Sequence, residues 1–335
     1  MRDRSAALVL VAAAACWGST IVAIKLAERR LPALGVTAIE LSAGVAVLAV
    51  ACWPRRHAIA RLPWPALAAG LLEPGAAYVL INLGLTRTSG LDGALLIGTE
   101  SLFIVMLVAA RERRAPGVLA LCGLVLALAG SAAVTAGGGQ ASVGGDLLVG
   151  AGSLAAAGYV VITHHYAGRV DPVAVTAGQF AIGWLVTLVA VVAAGPLRGE
   201  NPLHGATGAA VGAAVCAGLI GSALGFLLYN SALARVSAMQ AALALTLIPL
   251  FGALFSLALL GASVTAGSAL AGVAILAGVA VTQWSETRHG PAAGWRPPVG
   301  ERRSRRARGR GAGSIRRGPG VDRRVASQVD EEPPA

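Results

Sequence analysis

Residues 82–103 read NLGLTRTSGLDGALLIGTESLF, and residues 230–251 read NSALARVSAMQAALALTLIPLF. Aligned without gaps, they share Asn82/Asn230, Leu85/Leu233, Arg87/Arg235, Ser89/Ser237, Ala94/Ala242, Leu95/Leu243, Leu102/Leu250 and Phe103/Phe251, eight identities in 22 positions. The Ala and Leu matches carry little weight in a chain so rich in both. Asn and Arg are scarce in the apolar body, so the spacing Asn-x-x-Leu-x-Arg-x-Ser marks an internal repeat. An upstream echo agrees with it, because Pro32 and Thr37 open one apolar run and Pro172 and Thr176 open another.

The composition says where such a repeat resides. Of 335 residues, 56% are hydrophobic and 13% charged, and the mean hydropathy is +0.71. Soluble domains carry roughly 25% charged residues, so an ordinary cytosolic enzyme and a disordered or fibrous chain are both excluded. The formal charge of +11 divides unevenly: residues 288–335 hold 12 of the 27 basic residues against 5 acids. The basicity is mostly a tail property on a membrane body.

Runs of about twenty apolar residues predict ten membrane spans. They lie near 6–26, 34–53, 66–85, 91–110, 116–136, 146–166, 172–194, 206–229, 237–260 and 266–284. The first run is long enough to span and too long for the core of a cleaved signal peptide. Short separators such as Glu28-Arg29-Arg30-Leu31-Pro32, Pro54-Arg55-Arg56-His57 and Gly195-Pro196-Leu197-Arg198 read as tight turns between antiparallel helices. Two domains follow, a five-helix repeat over 5–136 and another over 146–285, with an Arg-rich disordered tail over 288–335. Five is odd, so the second copy enters the membrane upside down. The expected fold is an all-α integral membrane protein with ten transmembrane helices arranged as two inverted five-helix repeats. That arrangement belongs to secondary transporters, with a substrate site near midplane between the halves.

Arg placement sets the orientation. With the N-terminus inside, the inner loops and N-terminus collect Arg2, Arg4, Arg55, Arg56, Arg61, Arg111, Arg113, Arg114, Arg169 and Arg235. The outer side collects Lys25, Arg29, Arg30, Arg87 and Arg198. Both termini are expected in the cytoplasm and the chain in the plasma membrane.

Trp17-Gly18-Ser19-Thr20 in the first span, Ala23-Ile24-Lys25 at its end and the turn proline Pro32 resemble the EamA group of the drug/metabolite transporter superfamily. The second half is similar in Gly145-Asp146, Ala234-Arg235-Val236-Ser237 and Ile248-Pro249-Leu250-Phe251, and the resemblance covers about 5–285. It implies ten helices, cytoplasmic termini, and movement of small metabolites, often coupled to an ion gradient. The chain departs from the family pattern at Glu40-Leu41, where an Arg-aromatic pair is common, and at Ser101, where a proline is common.

Four carboxylates fall within expected spans, all in the first repeat: Glu40, Glu73, Asp92 and Glu100. An acid at a helix centre costs about 2.5–3.5 kcal/mol on insertion scales, so it persists for a reason. The repeat places Gln179, Gly221, Gln240 and Ile248 at the matching positions, so the fold itself does not need the acids. Glu73-Pro74-Gly75 also breaks its helix, because Pro74 removes a backbone hydrogen bond and Gly75 permits a bend. Glu73 and Glu100 are the leading candidates to line a central cavity and carry a proton or bind a cationic group. A carboxylate withdrawn from water can exchange a proton at neutral pH. The bland alternatives are a structural kink at Glu73 and neutralisation of Glu100 by a partner such as Lys25. Asp92, at the start of its span, reads as an N-terminal acid favoured by the helix dipole.

Lys25 is the only lysine of the chain; it reads either as a snorkelling interfacial cation or as a counter-ion for substrate or for an acid. Trp17 is a candidate for lining the cavity, with packing as the alternative. Asn82 and Asn230 read as helix-to-helix hydrogen-bonding residues, and Pro249 as a structural proline. The four cysteines, Cys16, Cys52, Cys122 and Cys216, are expected to be small buried thiols with no disulfide or metal role.

No nucleophile elbow, HExxH, P-loop or dinucleotide pattern occurs, so no enzyme activity, cofactor or metal is expected. The Arg302–Arg310 cluster suits anionic lipid at about 1 kcal/mol per base; with Trp295 its only aromatic residue, the tail offers nucleic acid little to stack on. The expected function is secondary transport of a small metabolite by alternating access, as a proton-coupled exporter. A cation or multidrug extruder is the alternative, and a membrane sensor or scaffold a more distant one. The partners expected are a small-molecule substrate, the lipid bilayer, a proton or ion gradient and a second copy of the chain.

Overall fold

The computed structural model describes residues 2–111, 113, 117–137, 143–198, 201–233, 235–236, 244–245, 247–261 and 264–288. Two compact units, Met1–Pro298 and Val299–Ala335, divide the chain, and all described residues lie in the first. Most of the Arg-rich tail, with its Arg302–Arg310 cluster, and Ser237, Gln240, Ala242 and Leu243 of the repeat lie outside the described residues.

Every regular element among the described residues is helical. Helix α1 (Arg2–Ala27) turns at Glu28–Pro32 into α2 (Ala33–Cys52), and a short α3 (Arg56–Ile59) follows. The next segment is broken: α4 (Trp64–Gly70) and α5 (Ala77–Leu85) are joined across a kink, Leu71–Ala76. Helices α6 (Gly90–Ile97) and α7 (Glu100–Arg111) are separated at Gly98–Thr99, and α8 (Val118–Gly137) closes the first half. The second half runs α9 (Val143–Tyr166), α10 (Pro172–Arg198), then α11 (Gly208–Cys216) and α12 (Phe226–Leu233) around a widened helical turn, Ala217–Gly225. Helices α13 (Leu247–Leu260) and α14 (Ala266–Arg288) complete it.

Local chemistry accounts for the boundaries. The Ser89 hydroxyl accepts from the Asp92 amide at 3.0 Å and Asp92 occupies the first turn of α6, which is the N-terminal position expected for that acid. Asp171 accepts from the Ala174 amide at 2.9 Å and starts α10. The Pro74 ring occupies the first broken segment, where Glu73 takes the extended conformation φ −143, ψ 128.

Among the described residues, seven helices are long and apolar enough to cross a membrane: Ser5–Ala27, Ala33–Ile59, Trp64–Leu85, Leu91–Arg111, Val143–Tyr166, Pro172–Ala193 and Gly208–Leu233. Shorter apolar helices, Val118–Gly130, Leu247–Leu260 and Ala266–Thr282, stand where the other three expected spans fall. Leu8, Val50, Val118, Val189 and Leu270 are exposed, an apolar exterior suited to lipid. The same setting corrects the reading of the cysteines. Cys52 is buried and Cys16 half-buried, but Cys122 and Cys216 are exposed. Where the surroundings are hydrocarbon, an apolar thiol gains nothing from facing inward.

The halves interlock. The α4–α5 segment packs against α9 and α10 of the second half, and the α11–α12 segment packs against α1 and α2 of the first. Helix α13 packs on α1, and α7 packs on α9. Two bundles result, one of α1, α2, α11–α12 and α13, the other of α4–α7, α9 and α10. They meet where α2 crosses α10 and α6 crosses α13. The tight crossings use glycine. A Cβ at Gly70 would collide with the Gln179 carbonyl, and one at Gly218 with the Glu40 carbonyl. One at Gly183 would fall 2.6 Å from Pro74, and one at Gly44 3.3 Å from Ser222. Gly70 and Gly218 keep the spacing of Asn82 and Asn230, and Gly44 and Gly183 that of Thr37 and Thr176. The close contacts therefore follow the register of the sequence repeat.

Candidate functional site

Between the two bundles lies a cavity of about 90 Å³, enough for several water molecules. Three carboxylates line it: Glu40 on α2, Glu73 at the break between α4 and α5, and Glu100 at the start of α7. Five aromatic rings line it as well: Trp17, Tyr78, Tyr159, Phe226 and Tyr229. Trp17 meets Phe226 edge to face with centroids 5.0 Å apart and Tyr229 at 5.2 Å. No Lys, Arg or His is among the described lining residues.

Glu73 and Glu100 are each placed by an irregularity in the helix. Glu73 leaves the helical path one residue before Pro74. Glu100 restarts the helix after Gly98–Thr99, where Pro249 packs against Gly98 closely enough that a Cβ there would lie 2.9 Å from the ring. Glu73 and Glu100 line the same cavity, and neither carboxylate has a hydrogen-bond partner among the described residues. Bare carboxylates facing one low-dielectric space take up protons or a cation. Among the described residues no three of His, Cys, Asp and Glu are grouped to hold a metal ion.

Glu40 differs in being fully engaged. Its side chain is buried and accepts from Asn82 Nδ2 at 3.3 Å and from Ser222 Oγ at 3.0 Å. The Tyr78 and Ser222 hydroxyls are 3.1 Å apart, so a chain of hydrogen bonds runs from α2 to both neighbouring segments. Asn82 also donates to Thr37 Oγ1 at 2.8 Å. The second half repeats the motif: Asn230 donates to Thr176 Oγ1 at 2.8 Å and to the Tyr159 hydroxyl at 3.2 Å. Gln179, standing where Glu40 stands, donates to the Ala66 carbonyl at 2.8 Å and to Thr163 Oγ1 at 3.2 Å. It accepts from Tyr159 at 3.2 Å. Both asparagines thus bond between helices. Beside Asn230 is a second, smaller cavity of about 30 Å³, which Ala66, Thr163 and Pro172 also line.

Lys25 does not line the cavity. Its ammonium donates to the Leu85 carbonyl and, at 2.7 Å, to the Thr88 carbonyl, capping the end of α5. Glu28, in the turn after α1, lies 3.7 Å from it, with a side chain only 6% exposed and no hydrogen bond to either oxygen. Burial pushes the Glu28 carboxyl up from 4.5 to about 7, opposed by Lys25 and helped by the charge of Glu40. The folded chain therefore holds a proton that the unfolded chain has already released. Stability falls as pH rises from about 4.5 to about 7 and levels off above. Glu28→Gln removes this slope, so its thermal midpoint should exceed the parent's at about pH 8 by more than at about pH 5. An equal difference at both pH values would contradict the assignment.

Of the residues singled out in the sequence, Trp17, Glu40, Glu73, Glu100 and Asn82 meet at the cavity, while Lys25 and Asn230 stand outside its lining. The rings at Tyr78, Tyr159, Phe226 and Tyr229, and Ser222, were not anticipated. A signal for the rings existed. The chain has 15 aromatic residues in all, and Tyr78 and Phe226 occupy matching positions of the repeat.

The comparisons with known proteins are consistent with this architecture. The family model described as the EamA-like transporter family matches twice, over residues 4–136 and 143–284. The uncharacterized protein PA1977 of Pseudomonas aeruginosa is 30% identical over 286 residues, covering 84% of this chain and 95% of that protein. A crystal structure of a protein that is 21% identical superposes with a TM-score of 0.63, covering 86% of this chain and 99% of the other, which shows the shared fold.

Proposed function

Because the chain belongs to the EamA-like transporter family, we propose that it is a proton-coupled exporter of small molecules, working by alternating access at the cavity between its two bundles. Its fold is then ten transmembrane helices in two inverted five-helix repeats, with the plasma membrane as its location and both termini in the cytoplasm. The two family matches, the three shorter apolar helices and the repeat-related glycine crossings support this reading. Rocking of one bundle against the other about the α2–α10 and α6–α13 crossings supplies the change of access. A second copy of the chain and anionic lipid beneath the basic tail remain further partners in this proposal.

One observation directs the substrate class: three carboxylates and five aromatic rings share a cavity whose described lining holds no cationic side chain. Rings attract a cation by about 0.5–2 kcal/mol each when water is excluded. A carboxylate-bearing metabolite finds no partner there, since Lys25 is bonded to backbone carbonyls. The cargo is therefore an amine or quaternary cation with an apolar body, which favours the cation extruder over a general metabolite exporter. Protons and cargo compete for Glu73 and Glu100, and that exchange couples the cargo to the pH gradient.

Purified protein in proteoliposomes tests this with ethidium as cationic probe and leucine as zwitterionic control. An imposed pH gradient should accumulate ethidium and leave leucine unmoved. Accumulation of leucine alone would return the reading to a metabolite exporter, and movement of neither would reject the cation assignment.

A further inference from the structure

The two halves place different chemistry at one position. Gln179 on α10 donates its amide N–H to the Ala66 carbonyl of α4 at 2.8 Å. The repeat carries Gln179 to Glu40 and Ala66 to Ala214, on α11, and the glycine crossings beside both pairs are alike. Yet Glu40 makes no bond to Ala214. It accepts from Ser222 and Asn82 instead. The reason is elementary, since an amide both donates and accepts, whereas a carboxylate only accepts.

In the proposed alternating access, rocking of one repeat against the other carries each half toward the arrangement its counterpart has here. In that state Glu40 stands as Gln179 stands here, facing a backbone carbonyl. A carboxylate there would set two acceptors together, with a buried charge unpaired. A carboxylic acid donates its O–H to the Ala214 carbonyl and reproduces the Gln179 bond. We propose that Glu40 is the residue whose protonation permits the exchange between the two states, by converting an acceptor of Asn82 and Ser222 into a donor to the Ala214 carbonyl. The proton enters from water on one side and leaves to water on the other, and the carboxyl O–H is the one covalent bond made and broken. Glu40 acts here as a positioning residue. This inference rests on alternating access between the repeats and is independent of the cargo.

Other titratable groups face Glu40, and the Glu40→Gln variant separates its part from theirs. Tyr78 reaches it through Ser222, and Glu73, Glu100, Tyr159 and Tyr229 share its cavity. Glu28 lies before its own helix and adds like charge. Residues 172–197 of α10 and 208–233 of α11–α12, the other helices packed on α2, contain no Asp, Glu, Lys, Arg or His.

Spin-label distances in lipid bilayers test it without any substrate. Cys16, Cys52, Cys122 and Cys216 are first replaced by Ala, then labels are placed at Thr86→Cys and Ala206→Cys, exposed positions next to α5 and α11 on opposite bundles. The parent distribution should shift between about pH 5.5 and about pH 8.5, and Glu40→Gln should hold one distribution at both. Because the second half carries Gln at this position, that variant is expected to fold. Gln179→Glu added to Glu40→Gln moves the acid to the matching position of the other half and should restore a pH-dependent shift, read at these labels and at Arg61→Cys and Arg235→Cys on the other end. Retention of the parent's shift in Glu40→Gln, or no shift in the parent, would overturn the proposal. Ethidium flux fails or succeeds separately.

Discussion

Glu73→Gln and Glu100→Gln should each abolish accumulation of ethidium driven by a pH gradient while leaving the protein folded in the membrane. The two effects part because the acids serve the cavity and not the fold. Neither carboxylate has a hydrogen-bond partner among the described residues, so amidation removes no bond that holds helices together. The second half builds the same framework with Gly221 and Ile248 at the matching positions. Gln is an uncharged amide of nearly the same shape as the carboxyl it replaces, so the variants should melt near the parent's temperature. What disappears is the site where a proton and a cation exclude each other. Flux and thermal unfolding measured on the same preparations check both halves of the statement. Unchanged accumulation in both variants would remove these acids from the transport chemistry.

Gly218→Leu and Gly70→Leu should do the reverse and cost the fold. At Gly218 any side chain meets the Glu40 carbonyl of α2, and at Gly70 the Gln179 carbonyl of α10. These obstacles are backbone, which cannot turn aside as a side chain can, so the helices must separate. Separation costs about 3 kcal/mol or more and also pulls apart the Glu40–Ser222 and Gln179–Ala66 bonds. Gly212→Leu is the matched control, because a Cβ at Gly212 meets nothing within 4 Å. Size-exclusion profiles and thermal midpoints in detergent should show loss of folded protein for the first two and little change for the third. Equal tolerance of all three would mean that these crossings do not hold the bundles together.

Much of this was legible from residue spacing. The Asn-x-x-Leu-x-Arg-x-Ser repeat located Asn82 and Asn230, and the structure gives both the same partner type, a threonine hydroxyl at 2.8 Å. Scarcity located the acids, because a carboxylate in an apolar run is conspicuous, and Glu40, Glu73 and Glu100 do reach one cavity. Contacts between helices distant in the chain were not legible. Lys25 had an open choice of partners in sequence, and its tie to the Leu85 and Thr88 carbonyls depends on how α1 lies against α5. The same holds for Ser222, Tyr159, Phe226 and Tyr229, which lie far from the acids along the chain and meet them only because each broken segment packs into the other half, whereas Tyr78 stands five residues after Glu73. Glu28 read as a turn residue because its charge sits among Arg29 and Arg30, yet its side chain is folded inward.

The central claim is that protons and a cationic cargo occupy the same carboxylates in this cavity. The direct measurement is the proton release that accompanies ethidium binding to purified protein in weakly buffered solution. The expected result is acidification that saturates with ethidium, together with an apparent affinity that weakens as pH is lowered. Both effects should be lost in the Glu73→Gln, Glu100→Gln double variant. Ethidium binding with no proton released and no dependence on pH would contradict it.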